Sequence, residues 1–112
     1  MRALSIRQPY AELILRGLKT VEYRSRPTKI IGERFYIYAA KGFTTEAQRA
    51  LTDDGGLDSA DLLRGVLVGT ATISHITNGT PGVYEWHLTD VRRLARPRKP
   101  KRMPQPVWFR PF

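Results

Sequence analysis

The densest group of chemically capable residues is the run Gly17-Leu18-Lys19-Thr20-Val21-Glu22-Tyr23-Arg24. Read as a strand from Thr20 onward, it puts Thr20, Glu22 and Arg24 on one face and Val21 and Tyr23 on the other. Lys19 sits at the junction before that strand. An arginine can meet a phosphate or a base edge with two parallel hydrogen bonds, and a glutamate can orient it or accept from a base amine. A surface ion pair on an exposed sheet face fits the same spacing and would contribute little energetically. For hydrolysis, a lysine whose pKa is lowered by burial can serve as base, with Glu22 shuttling the proton.

Other side chains widen the choice. Tyr10, Tyr23, Tyr36, Tyr38 and Trp86 can stack on a base or fill a core. His75 and His87 are a candidate acid and base for RNA cleavage, or polar strand residues with one exposed edge. Two histidines with no carboxylate pair nearby do not make a metal site, so no metal and no cofactor is expected. With no cysteine in the chain, disulfides and thiol catalysis are excluded.

The formal net charge is +9, from 19 Lys+Arg against 10 Asp+Glu. It is unevenly placed. Residues 92–112 hold eight basic residues and no acidic one, leaving residues 1–91 almost neutral. Arg92, Arg93, Arg96, Arg98, Lys99, Lys101 and Arg102 form a basic, proline-rich segment over residues 92–106. Such a segment suits phosphate contacts, which give affinity without base preference, or else is a solvated connection. At 112 residues with 41% apolar and 26% charged side chains, the chain reads as one folded domain spanning 1–112. It has no membrane-length apolar run, and its start does not read as a signal peptide, so a cytoplasmic location and no membrane partner are expected.

The elements that must position these residues follow from periodicity. Ala3-Leu4-Ser5-Ile6 predicts a strand. Pro9 suits a first helical turn, and Tyr10, Ala11, Ile14, Leu15 and Leu18 share one helical face, with Gly17 ending the helix and Leu18 packing back. Thr20–Arg24 and Arg34–Ala40 predict strands, with Pro27 and a Gly32 turn between. Thr45 and Gln48 form a capping-box pattern that predicts a second helix to about Leu51, and Ser59–Leu63 suggests one helical turn. Val66–Ile76 predicts a long strand bent or bulged at Gly69, followed by a turn over Asn78–Gly82. Val83–Leu88 predicts another strand, continued by Val91–Leu94 after a kink at Thr89-Asp90. Five prolines make the remainder extended or loop-like until a last short strand at Val107-Trp108-Phe109. The expected fold is α+β: a small, strongly bent barrel of five to six strands with two main helices.

Taken together, Ala3–Ala11, Gly17–Arg24 and Gly32–Ala40 resemble the ASCH family, a relative of the PUA superfamily. Its signature G-x-K-x-x-E-x-R is matched by Gly17, Lys19, Glu22 and Arg24. The stretch Tyr84–Leu94 and the pair Val107-Trp108 are also similar to one branch of that family, and the likeness weakens over residues 41–65. The resemblance implies a PUA-like barrel with a motif-lined cleft and binding of RNA or single-stranded nucleic acid. Within that reading Lys19, Glu22, Arg24, Arg7 and Tyr10 would line the cleft, and the basic segment would track phosphates, with the chain a monomer. Some relatives resemble amidohydrolases acting on N4-acetylated cytidine, in which a Lys, a Thr and a distant Glu are implicated. Lys19 matches the first, Glu22 stands in the threonine's place, and Glu85 is the nearest candidate for the last. Another group is linked to ribonuclease activity. Whether the cleft is catalytic is therefore left open, with Lys19 and Glu22 the catalytic candidates, and a protein-interaction module is the reading from a different class.

Overall fold

The computed structural model describes residues 1–42 and 62–112. Along the chain run β1 (Ala3–Ile6), α1 (Tyr10–Leu15), β2 (Val21–Arg24), β3 (Phe35–Ala39), β4 (Val66–Thr80), β5 (Val83–Arg98) and β6 (Trp108–Phe109). All six strands join one sheet in the order β2-β5-β4-β3-β1-β6. The β1–β3 pair is parallel and the others are antiparallel.

This corrects the expected two-helix barrel. The only helix among the described residues has six residues. The second expected helix, Thr45–Leu51, and all but the end of the turn at Ser59–Leu63 lie outside the described residues. The sheet is open, because its end strands β2 and β6 do not pair. These ends have only four and two residues, too few for a closing ladder. Side chains span the gap instead: the Arg24 guanidinium donates to the Ser5 carbonyl at 3.0 Å, and the Trp86 and Trp108 rings stack with centroids 5.8 Å apart.

Strand alternation sends side chains to two apolar clusters, one on each face. The larger gathers Leu4, Ile6, Phe35, Ile37, Ile73 and Trp86 and is capped by Ala11 and Ile14 of α1. The smaller holds Ala3, Tyr38, Leu67 and Phe109 on the other face. Gly69 lets the helix approach, since a Cβ there would stand 2.4 Å from Leu15 Cδ2. The expected irregularity at Gly69 is present as a register shift between Leu67 and Gly69. Leu18, by contrast, does not pack back on α1; it is 71% exposed.

Strand β5 runs on through Pro97 to Arg98, so the first part of the segment expected to be loop-like is strand. Its other neighbour, β2, pairs only with residues 84–87, and beyond them β5 is an edge that tolerates proline. The expected kink is present: Asp90 has φ 49°, and its carboxylate is bonded by Arg34. The two-residue β6 is held by its aromatic rings. Trp108 meets Phe35 edge-on at 5.1 Å and Phe109 meets Tyr38 at 5.5 Å. Such pairs contribute about 0.5–1.5 kcal/mol each beyond their buried area.

Candidate nucleic-acid interface

Gly17, at φ 76°, turns the chain out of α1, and the amides of Leu18 and Lys19 both donate to the Leu13 carbonyl. This tight exit delivers Lys19 beside the helix start. Its ammonium lies 5.5 Å from the Tyr10 ring centroid and 4.9 Å from that of Tyr23, within cation–π reach of both. It also stands 3.8 Å from Glu22 Oε1.

Strand β2 is inverted relative to an ordinary amphipathic strand. Glu22 is 8% exposed, whereas Tyr23 is 58% exposed. Register explains the direction: Glu22 pairs with Trp86 and Arg24 with Tyr84, so the charged face of β2 turns toward the main core. The alternative of an ion pair on an exposed sheet face is thereby set aside. A buried carboxylate needs compensation, and Glu22 has it from both sides. Arg24 Nη2 donates to Glu22 Oε2 at 3.0 Å, opposite the Lys19 contact.

Arg24 is the pivot of the site. Its guanidinium packs 5.6 Å from the Trp86 ring, and its tie to Ser5 fixes it across the sheet opening. It lines two adjoining cavities. One, of about 310 Å³, lies between Ser5 and the segment Pro104–Val107. The other, of about 460 Å³, is bounded by Arg26, Thr28, Lys29, Trp86 and Trp108. Thr28 Oγ1 accepts from the Trp108 indole at 3.1 Å, and the Arg26 carbonyl accepts from the Trp86 indole at 3.1 Å, so both ring orientations are locked. An arginine, two further cations and an aromatic wall in one hollow can take a stacked base with its phosphate.

The structure thus brings together Lys19, Glu22, Arg24 and Tyr10. Arg7 is exposed just after β1. The basic segment divides by role. Arg93 donates to both carboxylate oxygens of Glu12 at 2.8 Å, tying β5 to α1. That bidentate contact, with Arg16 as second partner, holds the Glu12 carboxyl below the ordinary glutamate range despite the opposing effect of burial. Arg98 donates to the Tyr36 hydroxyl and stacks 4.2 Å from the Phe112 ring. Arg92 lies 3.4 Å from Asp90. Arg96, Lys99, Lys101 and Arg102 are exposed.

His75 and His87 are register partners and stack with centroids 4.2 Å apart. His87 pairs with Val21, so both imidazoles lie on the sheet face opposite Glu22 and Trp86. Glu85 is on that outer face too, where the Gly79 amide and the Thr77 hydroxyl lower its pKa. It does not complete a set with Lys19. Among the described residues no group of three or more His, Asp or Glu side chains could hold a metal.

Sequence reasoning did not assign Ser5, Arg26, Thr28, Lys29 or Trp108 to the site. Arg26 and Lys29 could have been found as cations flanking Pro27 directly after the motif. Ser5 contributes a backbone carbonyl, which leaves no trace in side-chain type.

The family model of the ASCH domain matches residues 4–98. No curated protein sequence matches the chain. Among solved structures, an ASCH protein from Zymomonas mobilis superposes with a TM-score of 0.66 at 17% identity, over 96% of this chain and 85% of that one. A tyrosine-to-phenylalanine variant of the same bacterial protein gives 0.66 at 17% identity, over 96% and 87%. A serine-to-alanine variant gives 0.59 at 19%, over 88% and 72%. With the family model covering most of its length, the chain belongs to the ASCH domain family.

Proposed function

We propose that this ASCH domain binds single-stranded RNA and holds one unpaired base in the cavity between Arg24 and Trp108. The observation that carries this reading is the inverted β2 strand, whose buried Glu22 fixes Arg24 at the wall of two adjoining cavities. Burying a carboxylate between two cations is a poor way to gain stability, since an apolar residue would serve as well. It is a good way to fix a guanidinium at a defined place. Only Nη2 of Arg24 bonds to protein among the described residues, which leaves its remaining N–H groups for a base edge or phosphate. Trp108 offers a stacking surface, and Arg26 and Lys29 supply charge beside it.

Fluorescence anisotropy with a labelled oligoribonucleotide tests the reading. Arg24→Ala is expected to weaken binding about ten- to hundred-fold, the range for losing a hydrogen bond to a charged group. Trp108→Ala is expected to weaken it by a similar factor through lost stacking. Unchanged affinity in both variants would refute the reading.

A second reading rests on the placement of Lys19 beside the buried Glu22, 3.8 Å apart, a distance that would have to shorten, or be bridged by a water, before a proton could pass between them in amide hydrolysis. Release of acetate from N4-acetylcytidine by the native chain, lost in Lys19→Ala, would support it; no release by the native chain would remove it.

A further inference from the structure

A third hollow, of about 370 Å³, opens on the other side of the C-terminal segment and contains none of the motif residues. Three of its walls are Arg2, Arg102 and Arg110, and none is acidic. Arg2 comes from the start of the chain, and Arg102 and Arg110 from its last segment. Arg2 precedes β1 and is held at the rim by Glu33, 3.2 Å from its Nη1. Arg102 and Arg110 are brought together by a backbone clasp in which the amides of Lys101 and Arg102 both donate to the Pro111 carbonyl, at 2.7 and 3.1 Å. A loop held this way puts both arginines on the wall of one hollow, where an anion could meet either. The remaining wall includes Gln105 and Trp108.

Trp108 also lines the 460 Å³ motif cavity, and Gln105 also lines the 310 Å³ cavity beside Arg24. The arginine hollow and the motif cavities therefore lie back to back across residues 104–108. We infer that the Arg2–Arg102–Arg110 hollow binds a phosphate group, that of the nucleotide adjoining the one whose base enters the motif cavity. Planar guanidinium forks match phosphate oxygens bidentately, and the volume is within the range of small-ligand pockets. The assignment to RNA rests on the reading of the motif cavity given above. The affinity of the hollow for phosphate itself does not.

Two measurements separate these. Inorganic phosphate is titrated into the labelled full chain while the Trp108 indole and the Arg102 and Arg110 amide resonances are followed. Saturable shifts are expected in the native chain and in the charge-matched Arg96→Ala/Lys99→Ala, whose exposed side chains do not line the hollow, and none in Arg102→Ala/Arg110→Ala. An Arg102→Lys/Arg110→Lys variant keeps the charge and is expected to retain weakened shifts, which controls for a disturbed loop. Anisotropy with a single-stranded oligoribonucleotide is then measured against salt. Loss of one phosphate contact is expected to lower the slope of log K on log salt by about 0.7 in Arg102→Ala/Arg110→Ala. Phosphate shifts in a native chain that binds no RNA would uphold the hollow and overturn the RNA reading. No phosphate shifts in the native chain, or equal displacement of RNA from the native chain and the alanine pair by polyglutamate, would overturn the hollow.

Discussion

Glu22 Oε2 accepts a 3.0 Å hydrogen bond from Arg24 Nη2, and the same nitrogen reaches the Ser5 carbonyl at 3.0 Å. Two residues apart on one short strand, these side chains link β2 to β1 where the backbone leaves the sheet open. One contact thus serves both the fold and the site, and the consequences can be separated by mutation.

Glu22→Ala leaves Arg24 and Lys19 facing each other with no carboxylate between them. Breaking a largely buried pair by removing one partner is expected to cost about 3 kcal/mol, measured as a lowered urea midpoint with an unchanged m-value. Glu22→Gln keeps an acceptor for Arg24 and is expected to cost less.

Glu12 gives the fold an acid sensitivity. Arg93 and Arg16 hold its carboxyl below the ordinary glutamate range. A depressed folded-state pKa stabilises the fold above the unfolded value, and that contribution is lost as pH falls through the folded value. The native chain is therefore expected to lose stability on acidification below the ordinary glutamate range. In Glu12→Gln the melting temperature is expected to be lower at neutral pH and to fall less steeply with acid. Parallel melting curves for the two chains would count against the Glu12–Arg93 tie.

Gly69 marks where α1 crosses the sheet. A Cβ there would meet Leu15 Cδ2 at 2.4 Å and the Arg92 carbonyl oxygen at 2.6 Å. The leucine can shift, but the backbone oxygen cannot do so cheaply. Gly69→Ala is expected to destabilise by about 2 kcal/mol, a drop of roughly 10 °C in Tm by calorimetry. Adding Leu15→Ala is expected to recover only part of that loss.

Much of this was legible in the residues. Alternation located β1, β2, β3 and the starts of β4 and β5, and the motif spacing put Glu22 and Arg24 on one face. The direction of that face was not legible, because the pattern of β2 is the same whether charge points in or out; pairing with Trp86 and Tyr84 decides it. The barrel expectation failed for a related reason. Strand count suggested closure, whereas closure depends on the lengths of β2 and β6 and on which strands lie at the ends. The proline-rich stretch concealed the continuation of β5, since Pro97 is tolerated only because that side of the strand is unpaired. Arg93 read as one more cation of a basic tail until α1 brought Glu12 to it. Trp108 was visible as a residue of a short last strand, but its place on the cavity wall arises from contacts with Phe35, Trp86 and Thr28 far along the chain.

The most direct test of RNA binding at the motif cavity uses the two tryptophans, whose indole N–H resonances are readily assigned in a chain with only two. A single-stranded oligoribonucleotide is titrated into the native chain and into Arg24→Ala. The expected result is a saturable shift of the Trp86 indole, which lines the motif cavity and not the arginine hollow, in the native chain that is absent or strongly weakened in Arg24→Ala. Saturable shifts confined to the Trp108 indole or to the backbone amides of residues 92–102, with the Trp86 indole unmoved, would contradict it.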